Sequence, residues 1–155
     1  MATIDEAITL LKTKSISKPR IFPAPSIEQI ISAENLLGFK FPPSFLTFLS
    51  QAGSYKLRYW ETYWVGPCDG QDIVQSNFYE RQETDSPLPM FLISFFNNGM
   101  GDQECFDTRC KDENGEYPIV FWDHEKSQKE NLDQLETIAS NFAEWLLNEV
   151  EELTE

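Results

Sequence analysis

The residues best suited to nucleophilic chemistry are three cysteines and one histidine: Cys68, Cys105, Cys110 and His124. A cysteine nucleophile needs a neighbouring base, so His124 would have to act as that base. Cys105 is the thiol best placed on a strand, but no third group is indicated to orient the pair. The apolar and acidic residues around Cys105 would also raise the pKa of its thiol. The pattern therefore favours a buried structural cysteine and a surface histidine beside Asp123, and it predicts no catalytic residue.

Acidic residues that could bind a cation are concentrated in one stretch: Asp102, Glu104, Asp107, Asp112, Glu113 and Glu116. Their spacing does not match the alternating ligands of an EF-hand loop, and Gly115 comes too late to be its central glycine. A single histidine and the lack of a paired-cysteine motif give no support for zinc. The glycine-rich stretch 98–101 lacks the lysine and the following helix of a phosphate-binding loop. Sequence spacing therefore predicts no metal and no cofactor.

The same acidic residues are more informative as a charged surface. The chain has 155 residues and a net charge of −14, with sixteen acidic and four basic residues in 101–155 against ten and eight in 1–100. Such a field repels nucleic acid and anionic membranes and attracts a basic protein surface. Side chains in or beside turns are exposed, so we expect a partner to bind Asp102, Glu104, Asp112, Glu113 and Glu116. The alternative is that these acids only keep the protein soluble.

A second candidate surface is the aromatic segment Tyr59–Trp64. In an extended chain its alternate side chains point to opposite faces, which places Trp60 and Tyr63 on different faces. Tryptophan and tyrosine are frequent anchors of protein interfaces. They are also frequently buried in cores, so the segment has two interpretations. We keep Trp60 and Tyr63 as candidate partner-binding residues.

Length and composition indicate one globular domain. A chain of this length is ordinary for a single domain, and its 14% of aromatic residues is enough to fill a core. The first residues lack the basic and apolar regions of a signal peptide. The longest mostly apolar run, Pro89–Phe96, is too short to span a bilayer. With an odd number of cysteines, these features predict a cytoplasmic protein without a membrane partner.

The first half of the chain has the pattern of three helices. Apolar residues at helical spacing predict a helix over 4–13. Ser26 and Gln29 have the spacing of a capping box, and Gly38 suits the end of the helix that they begin. Ile27, Ile30, Ile31 and Leu37 are expected to form the buried stripe of this second helix. Pro42 and Pro43 suit the first turn of a third helix, which Gly53 ends.

The second half reads as strands followed by a helix. Aromatic and β-branched residues predict strands over 55–60 and 62–65, and further strands over 90–96, 103–108 and 117–123. A moderate helix pattern covers 72–81. The last element is predicted as one long helix over 131–149. Helices that are segregated from consecutive strands favour an α+β fold with a largely antiparallel sheet.

Several motifs, taken in order, resemble the SUKH superfamily. They are the helix 30–38 with Ala33-Glu34 and Leu37-Gly38, the segment Phe41-Pro42-Pro43-Ser44-Phe45 with Phe48-Leu49, the turn Gly99-Met100-Gly101-Asp102, the late strand Ile119–His124 and the closing segment Phe142–Leu146. The resemblance spans residues 26–147. It identifies one SUKH-like domain over 1–155, in which an N-terminal helix and linker, residues 1–25, lie outside the recognised core.

The resemblance implies an α+β domain with about four helices around a sheet of about six strands. It also implies a binding protein, not an enzyme. Many bacterial members are immunity proteins that neutralise toxins, often nucleases or deaminases, and fungal relatives regulate cell-wall synthesis as binding hubs. It transfers no catalytic or binding residue. The expected function is therefore neutralisation of a toxin with a basic surface; the alternatives are a regulatory scaffold without a toxin partner or a small hydrolase.

Overall fold

In the computed structural model of this chain, residues 3–14, 19–20, 23–51, 54–55, 62–66 and 72–152 are described. Their helices are α1 (Ile4–Lys14), α2 (Ile27–Leu37), α3 (Pro43–Gln51), α4 (Ile73–Gln82), α5 (Gln128–Asp133) and α6 (Phe142–Glu151). Their strands are β1 (Pro19–Arg20), β2 (Ser54–Tyr55), β3 (Leu92–Asn97), β4 (Gln103–Asp107), β5 (Ile119–Trp122) and β6 (Thr137–Ala139). None of the described helices is long and apolar enough to cross a bilayer.

The main sheet has four antiparallel strands in the order β3-β4-β5-β6, and β1 pairs with β2 in a separate ribbon. The predicted α+β class with an antiparallel sheet is confirmed. The expected numbers of about six strands in the sheet and about four helices are wrong, since the described residues contain a four-stranded sheet and six helices. One reason is that the predicted strand 62–65 makes only isolated bridges, from Thr62 to Phe96 and from Trp64 to Asp72.

Local capping signals set the ends of the second helix as predicted. The Ser26 hydroxyl accepts the Gln29 N–H at 3.1 Å, and the Gln29 side chain accepts the Ser26 N–H at 2.9 Å. Gly38 ends α2 with φ of 77°, a left-handed conformation that glycine adopts without strain. Because these bonds join residues close in sequence, the chain can specify them without its tertiary fold.

The predicted helix over 131–149 is wrong, because the segment divides into α5, β6 and α6. Ser127 and Glu130 form a capping box that begins α5 earlier than expected. Thr137–Ala139 then pairs with β5. The Asn141 side chain accepts the Glu144 N–H at 2.9 Å and begins a new helix. The two N-caps, and the β-branched residues Thr137 and Ile138 between them, thus outweigh the continuous apolar pattern that predicted one helix.

One face of the sheet carries an aromatic core beneath α1, α3 and α6. Phe95 and Phe106 stack on adjacent strands with ring centroids 4.6 Å apart. Phe45 from α3 contacts Phe142 from α6 edge to face at 5.1 Å, and Trp145 contacts Phe95 at 4.7 Å. Each such pair adds about 0.5–1.5 kcal/mol to the burial of its rings. This core fixes α6 against the sheet.

The other face of the sheet packs against α4 and the segment that leads into β3. Its buried apolar residues are Leu88, Leu92, Cys105, Val120 and Trp122. Asn77 of α4 donates to the Ser94 carbonyl at 2.9 Å and accepts the Ser94 N–H at 2.8 Å. Both faces of the sheet are therefore covered.

Candidate protein-binding surface

The five acidic residues predicted to bind a partner do not form one surface. Asp102 directly precedes β4 and Glu104 is its second residue, whereas Asp112, Glu113 and Glu116 lie in the loop between β4 and β5. A strand rises about 3.4 Å per residue, so β4 places Asp102 roughly 17 Å from Asp107, where the strand ends and the loop with the second group begins. A partner therefore has two separate acidic regions to approach.

The acidic turn, residues 112–116, is held by its own hydrogen bonds. Asp112 Oδ1 accepts the N–H groups of Asn114 at 2.8 Å and Glu116 at 2.9 Å. The Glu116 carboxylate accepts both the N–H of Ser44, at 2.9 Å, and its hydroxyl, at 2.6 Å, at the start of α3. Asp112 and Glu113 remain exposed. Glu116 thus orders the turn, and Asp112 and Glu113 present charge to solvent.

Glu104 is buried, although its position beside a turn predicted exposure. Its side chain points to α6, where Oε1 accepts the indole N–H of Trp145 at 2.9 Å, and the residue is only 8% exposed. Burial raises the pKa of this carboxyl, and the hydrogen bond from Trp145 opposes the rise. A partner that binds Glu104 must therefore reach it through the surface of α6.

Glu149 is a residue that the sequence analysis missed. Burial raises the pKa of its carboxyl to about 7, and the like charges of Glu104 and Glu152 contribute to the rise. It lies one helical turn beyond Trp145, so the two side chains share one face of α6. We call Glu104, Glu149 and Glu152 the α6 carboxylate cluster. Glu149 follows Trp145 by four residues and Leu146 by three, so it continues the buried apolar stripe of α6, and this helical spacing is the sequence signal that could have found it.

Asp102 is paired with the only histidine of the chain. Its Oδ1 lies 2.7 Å from His124 Nδ1 and accepts the His124 backbone N–H at 3.1 Å. Burial would raise the pKa of Asp102, but hydrogen bonds from His124 and Asn98 outweigh it and hold the pKa below its usual value. The bond to Asp102 raises the pKa of His124. Asp123 lies beside this pair, and among the described residues these three form the one group of potential metal ligands within 4.8 Å of one another.

The two aromatic candidates for partner binding, Trp60 and Tyr63, have different outcomes in the structure. Trp60 lies outside the described residues, so its role in binding stays a prediction. Tyr63 is 6% exposed, and its hydroxyl donates to the Gln103 side chain at 2.9 Å. Burial raises the pKa of Tyr63 to about 12. Tyr63 therefore belongs to the core, where only movement of the segment could expose it to a partner.

Cys105 and His124 are not adjacent. Cys105 is fully buried and pairs with Val120 across the sheet, four residues before His124. At about 3.4 Å per residue of extended chain this offset is roughly 14 Å. Burial raises the pKa of Cys105 well above its ordinary value. A thiol with these properties is not an activated nucleophile.

A further exposed surface lies on α2, where the predicted apolar stripe is partly wrong. Ile27 and Ile31 are exposed, and so is Leu36, whereas the buried residues of the helix are Ala33, Glu34 and Leu37. The buried Glu34 carboxylate accepts the Phe41 N–H at 2.8 Å, which turns this side of α2 inward. A groove of about 560 Å³ runs between α2 and the start of α4.

Comparison with known proteins supports the resemblance seen in the sequence. A family profile described as SMI1-KNR4 cell-wall, SUKH_5, matches residues 4–151 and so includes α1, which the sequence resemblance left out. A crystal structure of a protein from Pseudomonas syringae pv. tomato has a similar fold, with a TM-score of 0.57 and 17% identity over 77% of this chain and 83% of that one. No curated protein matches the sequence. With the profile matching nearly the whole chain, the protein belongs to the SMI1-KNR4 family of the SUKH superfamily.

Proposed function

We propose that this protein is a non-enzymatic immunity protein, which binds a cognate bacterial toxin with a basic surface and neutralises it. The observation that carries the proposal is the family match over residues 4–151. The SUKH resemblance implies binding proteins, many of which neutralise toxins. A nuclease toxin needs a cationic cleft for its phosphate substrate, so an acidic inhibitor can occupy that cleft.

The charge distribution supports a basic partner. The excess of acidic residues is concentrated in residues 101–155, which hold sixteen against four basic residues. Two of the four basic residues are engaged in ion pairs: Arg109 lies 2.9 Å from Asp107, and Lys129 lies 3.1 Å from Asp133. The acids of this region therefore outnumber the cations that could offset them, although Lys111 lies beside the acidic turn. Fields of this kind steer a basic partner during diffusional encounter.

The acidic turn is the part of this surface best prepared for binding. Its backbone is closed by the Asp112 N–H to the Glu116 carbonyl at 2.8 Å and by the Gly115 N–H to the Asp112 carbonyl at 3.1 Å. Gly115 has φ of 82° and lies against Pro43 of α3. A turn that is ordered before binding loses little conformational entropy when a partner arrives. We therefore propose Asp112 and Glu113 as the first contacts of the toxin.

The function can be tested by identifying the partner and asking what it does alone. The protein is used to capture its partner from the native cell, and the partner is then expressed with and without this chain. An immunity protein should relieve growth arrest caused by the partner. If the partner is harmless alone but binds tightly, the protein is a regulatory scaffold and the immunity proposal is wrong.

The acidic turn can be tested with a variant that keeps its hydrogen bonds. In Asp112→Asn/Glu113→Lys, the asparagine retains the Oδ1 acceptor, and Glu116 is left in place because it holds Ser44. A matched control, Glu28→Gln/Asp85→Lys, changes the net charge equally at exposed positions elsewhere. The turn variant should slow association with the captured toxin about fivefold at low salt, and the control should change it less than twofold. Equal effects would show that only net charge matters.

A further inference from the structure

We propose that Asp102, Asp123 and His124 bind one divalent transition-metal ion of the zinc class. One ligand atom from each side chain lies within 4.8 Å of the other two. Oxygen and nitrogen ligands bind zinc at about 2.0–2.2 Å, so atoms that share an ion are roughly 3–4 Å apart. The side chains would therefore need to move by about 1 Å or less.

The fold brings these residues together from two distant parts of the chain. Asp102 ends the turn before β4, and Asp123 and His124 follow β5 directly. The pairing of Gln103 with Trp122 places those two chain ends side by side. Sequence spacing alone predicted no metal, because Asp102 is distant in sequence from Asp123 and His124 and meets them only through the strand register.

The His124 ring packs closely against Gly101 in the β3–β4 turn. Gly101 has φ of +99°, and a Cβ atom there would lie 3.0 Å from the ring carbon Cγ of His124. A larger residue at position 101 would therefore displace the ring as well as strain the turn. This packing against Gly101 holds the imidazole next to Asp102.

Groups outside the three ligands hold both carboxylates in position. The Asn98 amide donates to Asp102 Oδ2 at 3.0 Å, which leaves Oδ1 facing the imidazole. The Glu125 N–H donates to Asp123 Oδ1 at 2.9 Å, and the Asp123 N–H donates to the Asn131 side chain at 2.9 Å. Hydrogen bonds of this kind orient metal ligands and raise affinity by about 10–100-fold.

The ligand set selects the class of ion. An imidazole nitrogen with two carboxylate oxygens suits zinc and other first-row transition metals. Calcium and magnesium prefer larger sets made of oxygen atoms alone, so the imidazole disfavours them. The two negative charges and the net charge of −14 attract a cation. The ion would displace any proton shared by His124 and Asp102, and it would tie the β3–β4 turn to the end of β5.

Calorimetric titration of the full chain with ZnCl₂, after removal of metals by chelator and dialysis, tests the proposal. We expect the chain to bind one equivalent of zinc with saturation. When Co²⁺ is added in place of zinc, we expect the visible absorption bands of the bound ion. Asp123→Asn and His124→Gln should each weaken binding at least tenfold, and Asn98→Ala about tenfold. Magnesium at the same ionic strength should not compete.

Two control variants separate this site from other ways of holding zinc. Glu113→Gln removes one exposed charge far from the three ligands, and Cys110→Ser removes an exposed thiol. Both should bind zinc as the unaltered chain does. The proposal is overturned if zinc does not saturate at one equivalent, if Glu113→Gln weakens binding as much as His124→Gln, or if Cys110→Ser abolishes it. Circular dichroism and urea unfolding midpoints, both measured in the presence of chelator, show whether the variants are folded. If His124→Gln is not folded, the zinc affinity of Asp123→Asn decides the test.

Discussion

The acidic turn and the α6 carboxylate cluster contain the same chemical group in opposite environments. In the acidic turn, Glu116 accepts two hydrogen bonds from Ser44, and Glu113 faces water. In the α6 carboxylate cluster, Glu104 is buried with a hydrogen bond from Trp145, and burial raises the pKa of Glu149. The acidic turn can keep its charge at little cost to stability, whereas in the cluster Glu104 and Glu149 are partly desolvated. Location in the fold, and not residue type, decides which acids are available to a partner.

Of the changes to these two regions, truncation of Trp145 should lower the free energy of unfolding most. Trp145→Ala removes aromatic contacts with Phe95 and Phe142 and leaves the buried Glu104 carboxylate without its indole donor. We expect it to lower the free energy of unfolding by about 3–5 kcal/mol in urea titration. Trp145→Phe keeps most of the packing and should lower it by about 1–3 kcal/mol, the penalty for an unsatisfied buried acceptor. A Trp145→Phe variant as stable as the unaltered chain would show that the Glu104 bond contributes nothing, whereas equal losses in the two variants would show that the ring packing contributes nothing.

Within the acidic turn, the two glutamates should differ. Glu116→Ala removes both hydrogen bonds to Ser44 at the start of α3 and should lower the free energy of unfolding by about 1–2 kcal/mol. Glu113→Ala, the matched control, should change it by less than about 0.5 kcal/mol because the side chain is exposed. Chemical unfolding of both variants in one buffer makes the measurement. If the two variants are equally stable, Glu116 does not anchor the turn.

Replacement of Glu149 should have a smaller effect on stability than replacement of Trp145 or Glu116, and the size of this effect depends on pH. Burial raises the pKa of Glu149 from 4.5 to about 7, so the folded protein holds this proton more tightly than the unfolded chain. Its contribution to stability is therefore present at low pH and is lost as the pH rises from about 4.5 to about 7. Glu149→Gln should raise the free energy of unfolding by about 1 kcal/mol at pH 8, since solvent screening of a partly exposed group reduces the full effect.

The control for this prediction is the same stability measurement at pH 4. At pH 4 the unaltered Glu149 is protonated in the folded state, so Glu149→Gln should have nearly the stability of the unaltered chain. A variant that is stabilised equally at pH 4 and pH 8 would contradict a raised pKa at Glu149 and point to a change in packing.

The parts of the fold that the sequence predicted are those with local causes. The capping box of Ser26 and Gln29 and the left-handed Gly38 involve neighbours in sequence, and the structure contains both. The division of 131–149 into three elements was missed because a continuous apolar pattern hid the Asn141 cap and the pairing of Thr137–Ala139 with β5. The number of strands depended on the family resemblance and on the segment that contains Thr62, where only isolated bridges form.

The candidate site shows the same limit more clearly. The five predicted acids were close in sequence, but β4 carries them to opposite ends of the sheet. Glu104 was expected to be exposed and instead contacts Trp145, which lies forty-one residues away in sequence. Strand register and long-range packing cannot be read from local composition, so the sequence could predict an acidic surface but not which acids form it.

The most direct test of the proposed binding surface is the rate at which the captured partner associates with a chain whose acidic turn is altered. The rate constant is measured at low salt for the unaltered chain, for Asp112→Asn/Glu113→Lys and for the matched control Glu28→Gln/Asp85→Lys. If the turn makes the first contact, the turn variant should associate about fivefold more slowly, with a weaker dependence on salt, and the control should stay within twofold. An unchanged rate for the turn variant would contradict the account and move the interface to another surface.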